Sequence, residues 1–197
     1  MHTERDISEE EYALYLNAIK SSANNMQYLL EDILVLSKTE SGNTAFTPDW
    51  LNLEELCKQI IEELAIIYQE RKINLTGFGF PLKIYGDKKL LRHILTNLLS
   101  NGLKYSPDRE TVDLKLVYLE ASELITVQII DRGIGIPAEV QKHLFESFYR
   151  GNNVGDIPGT GLGMSIVKKA VDIHRGNIVV ESEIGVGTTI TVTLPKQ

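Results

Sequence analysis

Near the start of the chain apolar residues recur at Tyr12, Leu16, Ile19, Ala23, Met26, Leu30 and Ile33, in alternating steps of four and three. That 3.5-residue spacing is the seam of a coiled coil rather than the wider stripe of an ordinary surface helix. Ser8 with Glu11 forms a capping box that opens the helix, which is expected to run to about Thr39. Leu29 and Leu36 broaden the seam and suit a four-helix bundle. The other reading is one amphipathic helix packed on its own domain. Against it, Glu40-Ser41-Gly42-Asn43 breaks the chain and separates the helix from the remaining residues. The expected organisation is therefore a helical arm over 1–44 and a globular domain over 45–197.

After the break the period changes. Phe46 to Leu51 reads as a short edge strand, since Pro48 is tolerated mainly there. Asn52 caps a helix to about Glu70, and Asp87 caps another through about Tyr105. Lys72–Phe78 and Leu82–Tyr85 read as strands around a Gly-Phe-Gly-Phe-Pro turn. Val112, Leu114, Leu116 and Tyr118 alternate with polar residues, as do Ile125, Val127 and Ile129. Ile190, Val192 and Leu194 face one way while Thr189, Thr191 and Thr193 face the other. Such alternation describes a sheet with one wet face and one face covered by helices. The fold class is α+β: a two-layer α/β sandwich with a mostly antiparallel sheet, preceded by a long coiled-coil-like helix.

Composition excludes several functions. A net charge of −7 argues against nucleic acid or anionic membrane as the main partner. The single cysteine, Cys57, has no second thiol to pair with and reads as a partly buried structural residue. No apolar run approaches the roughly 20 residues of a membrane span, and the acidic start is no secretory signal. The chain as given reads as soluble and cytoplasmic, with a parent that can still be membrane-anchored.

Three clusters carry the chemistry. On the second capped helix, Asn97, Asn101 and Lys104 fall within about 60° of one another, on one border of the core stripe Leu91, Ile94, Leu95, Leu98 and Leu99. Asparagine is a poor helix-interior residue, so two of them one turn apart imply another use for their amides. One amide oxygen with phosphate oxygens and water would satisfy magnesium. Lys104 would meet phosphate charge and Tyr105 could lie against a base. A solvated polar edge is the plainer reading of this cluster alone.

Asp131 continues the parity of Ile125, Val127 and Ile129, so its carboxylate points toward the buried layer, where an unpaired charge is costly. An exocyclic amine such as N6 of adenine is a fitting donor. Guanine would set acceptor against acceptor, which predicts ATP over GTP. Gly133 and Gly135 would let the backbone approach the ring. A structural aspartate in a glycine-rich turn is the alternative. Gly159-Thr160-Gly161-Leu162-Gly163 leads into a helix with apolar Leu162, Ile166, Val167, Ala170 and Val171, and its free amides form a phosphate cradle. Between Arg150 and Gly159 nothing apolar pins the chain, which reads as a lid ordering on the triphosphate or as a plain surface loop.

In order and spacing these clusters resemble the ATP-binding half of sensor histidine kinases, in the wider ATPase clan with gyrase B and MutL, over nearly the whole chain. Asn97-Leu-Leu-Ser-Asn101-Gly-Leu-Lys104-Tyr105-Ser-Pro is similar to the N box, and Asp131-Arg-Gly-Ile-Gly-Ile-Pro137 to the first glycine box. Phe145-Glu-Ser-Phe-Tyr149-Arg150 resembles the F box, Gly159-Thr-Gly-Leu-Gly163 the second glycine box, and Gly185-Val-Gly-Thr-Thr189 the closing turn. The first helix resembles the second helix of the dimerisation hairpin.

The resemblance implies Mg-ATP as ligand, with Asn101 on the metal and Asn97 near the phosphates. It implies Asp131 on the adenine amine, Lys104 and Arg150 on phosphate oxygens, and Tyr105 bordering the base. Gly133, Gly135, Ile136, Tyr149, Thr160, Gly161, Leu162, Gly163 and Thr189 complete the implied ATP contacts. Hydrolysing members of the clan carry a glutamate where this chain has Asn97, which favours transfer over hydrolysis. The implied partners are a response-regulator receiver domain and a second copy joined through the helical arm. Two departures stand out. The hairpin's first helix, with its phosphate-accepting histidine, is missing from the chain, and His2 has no such context; His93, His143 and His174 read as structural. Gly102 stands where alanine is usual, at a cost to helix stability. Two rival functions stay open: a slow ATPase or serine kinase of the same clan, and a non-catalytic, nucleotide-gated interaction module.

Overall fold

The computed structural model describes Tyr12, Tyr15, Leu16 and residues 46–69, 71–78, 82–107, 110–155, 157 and 159–197. The chain divides into two units, Met1–Thr44 and Ala45–Gln197. In the first, Tyr12, Tyr15 and Leu16 are helical and exposed. The capping box at Ser8 and the other seam positions lie outside the described residues.

In the second unit, Asp49–Asn52 forms β1, Leu53–Ile67 α1, Ile73–Phe78 β2, Lys83–Gly86 β3 and Lys88–Tyr105 α2. Next come β4 (Val112–Leu119), β5 (Leu124–Asp131), the short α3 (Ala138–Gln141), α4 (Gly163–Ile173), β6 (Asn177–Glu183) and β7 (Gly187–Pro195). Both expected caps form: Asn52 accepts from the amides of Glu54 and Glu55, and Asp87 from those of Lys89 and Leu90.

The main sheet has the order β2-β4-β5-β7-β6. Its pairs are antiparallel except β2–β4, which is parallel. β1 and β3 form a separate antiparallel pair. The two strands expected around the 77–81 turn therefore do not pair with each other. Their apolar pattern fixes which residues face the core, and it is satisfied equally by the partners they take instead. α3 and β6 have no counterpart in the sequence reading.

The core stripe of α2, with Leu91, Ile94, Leu95, Leu98 and Leu99 all buried, meets Val112, Leu114 and Leu116 of β4, Ile125, Val127 and Ile129 of β5, and Ile166, Val167 and Val171 of α4 in one apolar layer. Cys57 is part of this core, and burial pushes its thiol up to about 12. Among the described residues no helix is long and apolar enough to cross a membrane.

One polar cluster is buried at the end of the helices remote from the glycine motifs. Asp87 accepts from the Thr47 amide at 3.1 Å and the Thr47 hydroxyl at 2.9 Å. Its own N–H donates to His174 Nε2 at 3.1 Å, so His174 carries its hydrogen on Nδ1, which meets the Ala170 carbonyl at 2.7 Å. Phe46 stands edge-on to the His174 ring, with centroids 5.2 Å apart. The segment that enters this unit is thus fastened to the N-terminus of α2 and the C-terminus of α4.

Candidate functional site

The opposite ends of the same two helices hold the candidate residues. α2 and α4 pack side by side through the apolar layer, and at the start of α4 the contact passes to the asparagines. Asn97 Nδ2 donates to the His93 carbonyl one turn back, at 3.0 Å. Its Oδ1 lies against the backbone of Gly163, where an added Cβ would come within 2.5 Å. Asn101 Nδ2 points at Met164 Sδ, 3.6 Å away. A thioether cannot donate, so this contact selects the amide orientation in which nitrogen faces sulfur. Among the described residues no donor meets Asn101 Oδ1, which leaves one hard oxygen free. That donor fits magnesium, which takes few protein ligands and completes its octahedron with phosphate and water. No cluster of three or more His, Cys, Asp or Glu side chains competes for a metal among the described residues.

α4 begins without a side-chain cap and with no acidic residue in its first turn. Leu162 N–H reaches only Thr160 Oγ1, at 3.3 Å. The first-turn amides thus have no side-chain acceptor and lie at the positive end of the helix, as an anion requires. Gly161 has φ +73°, and a Cβ there would strike the Phe148 backbone at 2.6 Å. Phe148, itself left-handed at φ 66°, donates its N–H to the Gly161 carbonyl at 2.9 Å. The F-box and second glycine-box segments are therefore locked backbone to backbone.

Asp131 ends β5, half-buried beside Gly102 of α2, whose missing Cβ would sit 3.6 Å from that of Asp131. Burial raises its pKa, and the amides of Gly133 and Thr188 oppose the rise. Gly133 N–H meets Oδ1 at 2.8 Å. A Cβ on Gly133 would clash with the Tyr105 carbonyl at 2.5 Å, so the first glycine loop lies directly on the end of α2. Ile134 N–H bonds the same carbonyl at 3.0 Å. At φ +69°, Gly135 packs against the Glu183 carbonyl with no room for a side chain.

Lys104 is exposed, has no partner among the described groups, and partial desolvation lowers its pKa. Tyr105 is half-buried; desolvation raises its pKa while the nearby Arg150 charge works against that. The Tyr105 hydroxyl stands 3.7 Å from the Cβ position of Gly159. Tyr149 stacks on His143 at 5.2 Å, and His143 Nδ1 meets Glu146 at 2.7 Å.

The guanidinium of Arg150 donates to the carbonyls of Ile157 at 2.6 Å and Gly159 at 3.0 Å. Asn153 adds a bond to the Gly135 carbonyl at 3.0 Å, so polar groups hold Asn153, Ile157 and Gly159. Thr189 pairs with Ile130 on the face away from Asp131, and it is Thr188 that stands opposite Asp131. The alternation of β7 already contained this, because Thr188 shares the parity of Ile190. Sequence reasoning also passed over Ser182 and Gln141, which bind Ile136 through Ser182 Oγ at 2.8 Å and Gln141 Nε2 at 2.7 Å. A short polar residue in phase with Ile178 and Val180 was the available signal for Ser182.

Comparison with known proteins agrees with this geometry. Residues 86–197 match the family described as histidine kinase-, DNA gyrase B-, and HSP90-like ATPase. The chain is 33% identical over 186 residues to the sensor histidine kinase WalK of Bacillus subtilis, covering 92% of this chain and 30% of WalK. It is 35% identical over 194 residues to the circadian input-output histidine kinase CikA of Synechococcus elongatus, covering 93% of this chain and 25% of CikA. The chain thus spans less than a third of either relative. Among solved structures, the mycobacterial sensor histidine kinase MprB superposes with a TM-score of 0.67 at 28% identity, over 77% of this chain and 99% of that one. Full-length ShkA, solved in complex with AMPPNP, gives 0.77 at 22% identity, over 97% of this chain and 40% of that one, a likeness of fold.

Proposed function

The chain belongs to the histidine kinase-, DNA gyrase B- and HSP90-like ATPase family, and from that premise we propose that it holds Mg-ATP and, within a complete kinase, presents the γ-phosphate to a histidine. A response-regulator aspartate would receive the phosphoryl group next. The observation that carries the reading is the meeting of Asn101, with its free amide oxygen, and the uncapped start of α4 at the end of the sheet where Asp131 is half-buried.

In this reading Asp131 accepts a hydrogen bond from the adenine amine and Tyr105 borders the ring. The first-turn amides of α4 and the Lys104 ammonium take up phosphate charge. Magnesium, when bound at Asn101, supplies charge neutralisation across the phosphates. The chain's own contribution to transfer is to position the nucleotide and surround the phosphates with fixed dipoles. Asn97 lacks a carboxylate and cannot take a proton from water, which favours transfer over hydrolysis. That WalK and CikA are histidine kinases supports a histidine acceptor, which would lie on a helix of the same hairpin as the arm. The exposed Tyr12 and Leu16 suit burial against a second copy of that arm.

Calorimetry with ATP and GTP, with and without magnesium, tests the reading on the whole chain and on Asp131→Asn. The expected result is magnesium-dependent binding of ATP over GTP that is lost in the variant. Equal affinity for both nucleotides, or an unaffected variant, would refute it. A second arm offers γ-labelled ATP: label should stay off the chain alone and appear on an added histidine-bearing helix.

A further inference from the structure

Asp131, Thr188 and Ser182 form one lateral rank across β5, β7 and β6, each directly opposite the next. Cross-strand partners share a face, so the three polar side chains stand together toward the helical layer. We propose that Ser182 is the positioning residue of the adenine pocket, setting base specificity through Thr188 and the first glycine loop without touching the nucleotide. This rests on the reading of Asp131 as the group that meets the adenine amine.

The hydrogen-bond geometry leaves one assignment. Ser182 has a single hydroxyl hydrogen, and the Gly187 carbonyl lies 3.0 Å from Oγ to take it. The Thr188 hydroxyl, 2.8 Å away, must then donate to Ser182 Oγ. The amide of Ile136 also donates to that oxygen, at 2.8 Å. One hydroxyl thus fixes three groups on two sides of Asp131. Thr188 stands directly opposite Asp131 across the β5–β7 pair, and Ile136 closes the loop whose Gly133 amide bonds the Asp131 carboxylate.

Gln141 braces the same point, with Nε2 on the Ile136 carbonyl at 2.7 Å and on the Ser182 carbonyl at 3.0 Å. No slack remains at Gly187, where φ is +136° and a Cβ would fall 2.1 Å from the Asp131 carbonyl oxygen. Removing the Ser182 hydroxyl would orphan an amide, a carbonyl and a hydroxyl at once, and the strand and the loop that flank Asp131 would lose their common anchor.

The test compares ATP with inosine triphosphate, which carries a carbonyl where adenine has its amine. Affinities are measured on the whole chain for the wild type, Ser182→Ala, Ser182→Thr, Thr188→Val and Asp131→Asn, with thermal unfolding alongside. Ser182→Ala should lose about tenfold in ATP affinity, the effect of one well-placed hydrogen bond, and keep inosine triphosphate affinity within about twofold. Ser182→Thr, which restores the hydroxyl, should recover the wild-type ratio. A purely structural serine would weaken both nucleotides in parallel with stability, and that outcome overturns the proposal. Should Ser182→Ala not fold, Thr188→Val decides: a fall in the ATP-to-inosine ratio supports the proposal and an unchanged ratio overturns it. If Asp131→Asn itself keeps the wild-type ratio, the adenine reading fails and this proposal with it. If Asp131→Asn collapses the ratio while both hydroxyl variants keep it, only the role of Ser182 is lost.

Discussion

Gly163 and Asn97 share one space, for a Cβ on the glycine would stand 2.5 Å from Asn97 Oδ1. In an isolated helix Gly→Ala stabilises by about 1 kcal/mol. Here the methyl must push the Asn97 amide off Gly163 and toward the phosphate cradle. Gly163→Ala should therefore keep its melting temperature within a few degrees yet lose about tenfold in ATP affinity. Titration calorimetry with thermal unfolding separates the two effects; unchanged affinity would remove Asn97 from the phosphate site.

Asp131 should couple nucleotide binding and stability to pH in opposite directions. Burial raises its folded pKa, so the ionised form is the one the fold disfavours. As pH falls through that raised value, the nucleotide-free chain gains stability from this group, while ATP loses the carboxylate that accepts its amine. ATP affinity should decline at a pH above the ordinary aspartate range, and Asp131→Asn should flatten that decline. Binding measured across pH 4 to 8 checks it.

His174 and Asp87 should unfold the domain in two acidic steps. Burial lowers the His174 pKa, with the Ala170 carbonyl and the Asp87 charge opposing. Its contribution is present at neutral pH and is lost as pH falls below about 6.5, where the unfolded chain takes a proton and the folded one does not. For Asp87 burial works toward a higher pKa, but bonds from Thr47, Leu90 and Lys89 win and lower it. Its contribution is present above the unfolded carboxylate value and disappears as pH falls through the lower folded value. Urea unfolding across this range should show both slopes, and His174→Gln should erase only the first.

Arg150 should govern the 150–159 stretch before any nucleotide arrives. Its two bonds, to Ile157 and Gly159, need a planar fork that lysine lacks. Arg150→Lys and Arg150→Ala should both speed proteolytic cleavage between Gly155 and Gly159. ATP should slow cleavage in the wild type. Equal cleavage in all three forms would show that the stretch is held by other contacts.

How far the chain could be read depends on what each signal encodes. Period-2 and period-3.6 patterns fixed faces well: Leu98, Leu99, Val127 and Val192 are buried as their phase demands. Partners were less legible, because β2 beside β4 and β2 beside β3 bury the same side chains. Candidate residues on a helix or strand end, such as Asn101 and Asp131, could be singled out because a polar group breaks an apolar phase. The phase of β7 places Thr188, rather than the Thr189 named from the sequence, opposite Asp131. No local rule shows the Arg150 guanidinium folding back onto carbonyls seven and nine residues on. Ser182 was missed because its meaning lies in a lateral rank that forms only once β6, β7 and β5 are side by side.

The clamp of Thr47, Asp87 and His174 sits where α2 begins and α4 ends. α2 alone has 18 residues, a rise of about 27 Å. At the far tips stand Tyr105 on one helix and Gly163 on the other. Phe46 and Thr47 therefore hold the ends of α2 and α4 opposite to those that carry Tyr105 and Gly163, so one short entry segment ties both helices at a single point.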